Sequence, residues 1–209
     1  MAPRRPKVFC IGFPNTGTTS LRAALKELGY KVQGPFGLDQ PLEALETLGE
    51  EMALELAKKA DAVAGEPWPL FYHALDRRFP GSRFILTTRD AERWAETLAG
   101  LWRAPNTAMM SFFVGAEHVG AEHQEAWRTV FAAHDAAVRE HFADRPDDLL
   151  VMSADEPMLW GPLCTFLRVE TPATPFPEMR MKGDPANWLH RARRGLAKLT
   201  DRLDPYVAP

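Results

Sequence analysis

The chain has 209 residues, 45% hydrophobic and 25% charged, with a formal net charge of −3. That size and balance predict one domain, residues 1–209, with a substantial core, and argue against a broad nucleic-acid surface. No run approaches the roughly 20 apolar residues of a membrane span, and the apolar stretch after the basic N-terminus is too short for a signal-peptide core. The cysteines, Cys10 and Cys164, give neither a disulfide framework nor a zinc spacing, so a reduced, cytoplasmic setting is expected.

In chain order, Lys7 to Gly12 reads as a strand apolar on both faces, as central parallel strands are. A helix follows from Thr18, with Leu21, Ala24, Leu25 and Leu28 on one face and Gly29 at its C′ position. "YKVQG" suits a short strand. Pro41 to Ala60 predicts a helix whose stripe is Leu42, Leu45, Leu48, Met52 and Leu56. "DAVAG" predicts another short strand ending at Glu66. "WPLFYHALDRRF" is helical and stopped by Pro80-Gly81. "SRFILTT" is a second buried strand, followed by a helix "DAERWAETLAGLW" with Asp90 at its N-cap. Helical segments run on to Phe142 with a break near Gly115–Gly120. "DLLVM" is a further strand. "EPMLWGPLCTFLRV" predicts a helix interrupted or kinked at Gly161-Pro162. A proline-rich loop and a basic terminal helix, with Arg191, Arg193, Arg194, Lys198 and Arg202 on a solvated face, end the chain. Strands alternate with helices. The expected fold class is α/β, a parallel sheet with helices on both faces, in a P-loop NTPase-like three-layer sandwich.

The junction of the first strand and helix, Gly12-Phe-Pro-Asn-Thr-Gly17-Thr-Thr, is built like a phosphate-binding turn. Free backbone N–H groups and the positive end of the helix dipole meet there, and Thr16, Thr18, Thr19 and Ser20 add hydroxyl donors. A nucleoside-triphosphatase loop carries a lysine after its second glycine. Thr18 stands there instead, which argues against a P-loop kinase or nucleotidase. Arg89, at the carboxyl end of a predicted strand, can fork onto a second phosphate, and Thr97 lies about two helical turns beyond it. Glu66 closes another strand at the same rim, where it serves either as a base or as a helix-capping carboxylate. His73 is a weaker candidate base. His118 and His123, with Glu117 and Glu122, suit a polar loop better than a metal site. Trp68, Phe71, Tyr72, Trp102, Met109, Met110, Phe112 and Phe113 line either an apolar pocket or the core, and burial statistics favour core.

These segments resemble the sulfotransferase family, whose phosphate loop reads like "PKSGTT" or "RTGTTSL". Here "PNTGTTSL" (Pro14 to Leu21), "GEPWPLFYHALDRRFPGSRFILTTRDAERW" and "GPLCTFLRVETPATPFP" keep the family's order over about Val8 to Pro177. The resemblance implies 3′-phosphoadenosine 5′-phosphosulfate (PAPS) as sulfuryl donor, adenosine 3′,5′-bisphosphate (PAP) as product and no metal. The implied acceptor is a small phenol, alcohol or sugar hydroxyl, or an amine. It also implies that Asn15, Thr16, Gly17, Thr18, Thr19 and Ser20 hold the 5′-phosphate, that Arg89 and Thr97 hold the 3′-phosphate, and that Glu66 is the base. Where the family carries Lys or Arg, this chain has Asn15, which donates a hydrogen bond but brings no charge. Either another cation compensates, with Arg180 and Lys182 as candidates, or turnover is slow, or the chain binds nucleotide without turnover.

Overall fold

A computed structural model describes residues 5–101, 108–115 and 120–179. Five parallel strands form one sheet: β1 (Val8–Cys10), β2 (Val32–Gln33), β3 (Ala62–Val63), β4 (Arg83–Thr88) and β5 (Leu149–Ser153), in the order β2-β3-β1-β4-β5. Parallel neighbours need a crossover, and the helices supply it. They are α1 (Thr18–Glu27), α2 (Leu42–Lys58), α3 (Tyr72–Arg78), α4 (Ala91–Leu101), α5 (Ala108–Val114), α6 (Gln124–His141) and α7 (Trp160–Leu167).

The strands β1 and β3 and the centres of β4 and β5 are apolar because both faces are covered. Val8, Cys10, Ala62, Ile85 and Met152 pack with Leu21 and Leu25 of α1 and Leu163 and Leu167 of α7. The alternate residues Phe9, Val63, Phe84 and Leu86 pack on the other side with Ala53 and Ala57 of α2, Leu75 of α3 and Val138 of α6. A third cluster gathers α4, α5 and α6 around Phe13, just past the end of β1, with Trp94, Phe113, Trp127 and Phe131. The three-layer α/β architecture expected from the sequence is the one found.

Two local expectations need correction. The buried stripe of α2 is Leu45, Gly49, Ala53 and Ala57, while Leu48 is half exposed. The reason is steric: a Cβ on Gly49 would lie 2.9 Å from the Phe71 ring, so rings from outside the helix fill the space that a leucine stripe would take. The helix at Gly161-Pro162, α7, also runs unbroken from Trp160 to Leu167. It begins at Trp160, so Pro162 falls in the first turn, where its missing N–H has no intrahelical partner to lose. Both cysteines are buried and free. Among the described residues no helix is long and apolar enough to cross a membrane.

Gly12, just past β1, lies close against Thr87 of β4. A Cβ there would overlap the Thr87 hydroxyl and carbonyl oxygens and lie 2.7 Å from its amide nitrogen. Gly12→Ala is expected to destabilise the fold by about 3 kcal/mol, read as a lowered urea midpoint.

Candidate active site

The turn between β1 and α1 is held by its carbonyl groups. The Ile11 carbonyl meets His134 Nε2 at 2.8 Å, that of Phe13 accepts the Thr16 hydroxyl at 2.6 Å, that of Pro14 accepts the Trp94 indole N–H at 2.7 Å, and that of Asn15 accepts Arg89 Nη1 at 3.2 Å. The Thr16 hydroxyl also bonds Thr87 Oγ1 at 2.6 Å. With the carbonyls turned outward, the amides at the start of α1 are left facing the turn. Gly17 is the N-cap and offers no side-chain cap, so the N–H groups of Thr18, Thr19 and Ser20 are the unpaired donors of a helix start. Asn15 (φ 63°) and Gly17 (φ 91°) sit in the left-handed region, which both residue types tolerate. The loop therefore has the geometry that suits an anion.

Of the predicted hydroxyl donors, Thr16 is fully buried and committed to the loop's own carbonyl and to β4, so what it can offer an anion is its amide. Thr18 is buried, Thr19 is exposed and Ser20 is half-buried, with Ser20 Oγ accepting the Met179 amide at 2.9 Å.

Arg89 follows β4 directly, and the structure brings it to the loop. Its Nη1 also lies 3.5 Å from Thr97 Oγ1, which donates to the Arg93 carbonyl at 2.7 Å. Arg89 Nε is buried and has no acceptor. Buried donors are nearly always satisfied, so this atom points to an absent acceptor. Asp90 caps α4 as expected, accepting the Arg93 amide at 3.0 Å. Asp155, just after β5, accepts the Asp90 amide at 2.6 Å and pairs with Arg93 at 3.2 Å, which ties the start of α4 to the next strand.

Glu66 follows β3 at the same carboxyl edge and is half-buried. Burial raises its carboxyl above the usual range, opposed by its own backbone hydrogen bond and by the positive charge of Arg22. His73 is exposed on α3. It meets His141 edge-on, with ring centroids 4.5 Å apart, and His141 bonds Asp76 at 2.8 Å. Trp68, Phe71, Tyr72, Met109 and Phe113 are buried core residues, and Met110 and Phe112 pack half-buried against that core. His123 pairs with Glu122 at 3.5 Å. Trp102, Glu117, His118, Arg180, Lys182, Arg191, Arg193, Arg194, Lys198 and Arg202 lie outside the described residues.

Sequence reasoning missed His134 and Trp94. The His134 ring stacks on Phe13 at 4.2 Å, and burial holds its pKa below the usual histidine value. The available signal was its place on the α6 stripe between Phe131 and Val138.

A family model described as a sulfotransferase domain matches residues 7–115 and 97–184. The crystal structure of a sulfotransferase from Alicyclobacillus acidocaldarius is similar to this one with a TM-score of 0.52 at 17% identity, covering 96% of each chain, a likeness of fold. None of the curated proteins matches the sequence.

Thr16→Val keeps the shape of the side chain but strips the buried bonds to Phe13 and Thr87. It is expected to cost about 2 kcal/mol in urea unfolding. For Glu66, a folded-state pKa above the ordinary 4.5 means that stability is fully present below that value and is lost as pH rises toward the folded pKa. Thermal melts of Glu66→Gln across that rise should show the variant gaining on the native chain. A gap that stays constant with pH would contradict the assignment.

Proposed function

The chain belongs to the sulfotransferase family, and from that premise we propose that it moves the sulfuryl group of PAPS to a hydroxyl or amine of a small acceptor. When bound, PAPS supplies an activated sulfuryl group on a phosphate that leaves readily. The chain's own residues fit such a donor in three respects. The amides from Gly17 to Ser20 suit the 5′-phosphate, with the hydroxyls of Thr18, Thr19 and Ser20 beside them. Arg89 and Thr97 suit the 3′-phosphate. Glu66, at the carboxyl end of β3, suits a general base, because burial that raises its pKa makes it a better proton acceptor.

The single observation that carries the reading is Arg89. Its guanidinium is fixed on the Asn15 carbonyl while its Nε is buried without an acceptor, so an unmet cationic donor stands beside an amide cradle. In the transfer, the acceptor oxygen or nitrogen bonds to sulfur as the bond from sulfur to the bridging phosphate oxygen breaks. The electron pair leaves with PAP, and the acceptor's proton goes to the Glu66 carboxylate. Asn15 stands where charge builds on the leaving oxygen and supplies a hydrogen bond in place of a full charge.

PAP is expected to raise the melting temperature of the native chain, and Arg89→Ala should weaken its binding at least about tenfold. Labelled sulfate should pass from PAPS to members of a phenol, alcohol, sugar and amine panel, and Glu66→Gln should slow it without moving PAP affinity. Asn15→Lys should raise the rate even though lysine in the left-handed region costs about 1 kcal/mol. Absence of PAP stabilisation at millimolar ligand would overturn the donor assignment. PAP binding without any transfer would mark the chain as a nucleotide-binding protein of this fold that has lost turnover.

A further inference from the structure

Among the described residues Arg22, at the carboxyl edge of the sheet, forms no ion pair, although its charge is felt by the Glu66 carboxyl. Arg22 lies in α1 one turn beyond Thr18, so both side chains leave the same side of the helix. Its guanidinium packs against Gly34, just past β2: a Cβ on Gly34 would be 3.1 Å from Arg22 Nη1 and 4.0 Å from Cζ. The Gly34 carbonyl accepts the Trp68 indole N–H at 3.0 Å, and the Phe36 amide donates to the Glu66 carbonyl at 3.0 Å. Arg22 and Glu66 are thus drawn to one turn. Among the described residues Arg22 makes neither an ion pair nor a side-chain hydrogen bond, although it is half-buried. A guanidinium has five donors in a planar fork, and leaving them unmet in a partly desolvated position is costly.

The strand order tells which substrate this cation faces. Arg89 stands at the end of β4, on one side of β1, while Gly34 and Glu66 stand at the ends of β2 and β3, on the other. The loop amides and Arg89 account for the donor's phosphates on the β1–β4 side. Arg22 reaches the opposite side, where the base waits for the acceptor.

We propose that Arg22 is a specificity-determining residue, selecting acceptors that carry a carboxylate in the same molecule as the reacting hydroxyl. The fork holds the carboxylate while Glu66 faces the hydroxyl. A carboxylate suits Arg22 because both groups are planar and pair through two parallel bonds. This inference rests on the sulfotransferase reading for the identity of the reacting group, but the recognition itself can be measured without turnover.

The test is calorimetric titration of the intact chain with para-hydroxybenzoate and with phenol, each in the presence and absence of saturating PAP. The native chain should bind para-hydroxybenzoate at least about tenfold more tightly than phenol. Arg22→Gln should abolish that preference while leaving phenol binding as it was, and Arg22→Lys should keep part of it, because a single charge remains without the fork. PAP affinity of Arg22→Gln serves as the control for folding. Binding of neither probe, a native preference for phenol, or equal weakening of both probes by Arg22→Gln would each overturn the proposal. Failure of PAP to bind the native chain would sink the donor reading instead, and the PAP-free titrations would still report on Arg22.

Discussion

The site depends on which way the peptide groups of one turn face. An anion cradle works only if amide hydrogens point inward and carbonyl oxygens point away, and a short turn does not hold that orientation by itself. Here the carbonyls of Ile11, Phe13, Pro14 and Asn15 are each held by a side chain, His134, Thr16, Trp94 and Arg89 in turn. Three of those side chains come from distant parts of the chain. The positive φ values of Asn15 and Gly17 complete the twist that exposes the first amides of α1. Arg89 has two tasks in this arrangement: it fixes a carbonyl, and it keeps a buried donor free beside the cradle.

The sheet turns this local device into a two-sided site. Every parallel strand ends at the same rim, so residues that follow strands converge there whatever their separation in sequence. β1 delivers the loop, β4 delivers Arg89, and β3 delivers Glu66. Because β1 lies between β3 and β4, the residues suited to two phosphates and the residue suited to proton transfer fall on opposite sides of the loop. Arg22 extends the second side from the first helix. Gly12 makes the close packing of β1 on β4 feasible, because nothing larger than hydrogen fits against Thr87.

Much of this was legible in the sequence because its signals are local. A strand apolar at every position, a turn with two glycines and a helix stripe at Leu21, Ala24 and Leu25 are patterns within twenty residues or so of one another. Arg89 and Asp90 were legible for the same reason, as the residues that end a strand and begin a helix. The clamps on the loop were not. The Trp94 bond to Pro14 spans 80 residues and the His134 bond to Ile11 spans 123, and no periodicity encodes such a pairing. The role of Thr16 was misjudged in emphasis, since a hydroxyl beside a phosphate loop looks like a donor to ligand until its neighbour on β4 is known. The stripe of α2 was misread because leucines attract attention, whereas the helix face that meets Phe71 needed Gly49 and Ala53.

The central claim is that the loop amides and Arg89 together hold the two phosphates of one adenosine nucleotide. A crystal structure of the chain soaked with PAP tests it most directly. The account predicts the 5′-phosphate on the amides between Gly17 and Ser20 and the 3′-phosphate within hydrogen-bond distance of the Arg89 guanidinium, with Nε among its donors. Density for PAP away from the β1–α1 turn, or a 3′-phosphate directed away from Arg89, would contradict it.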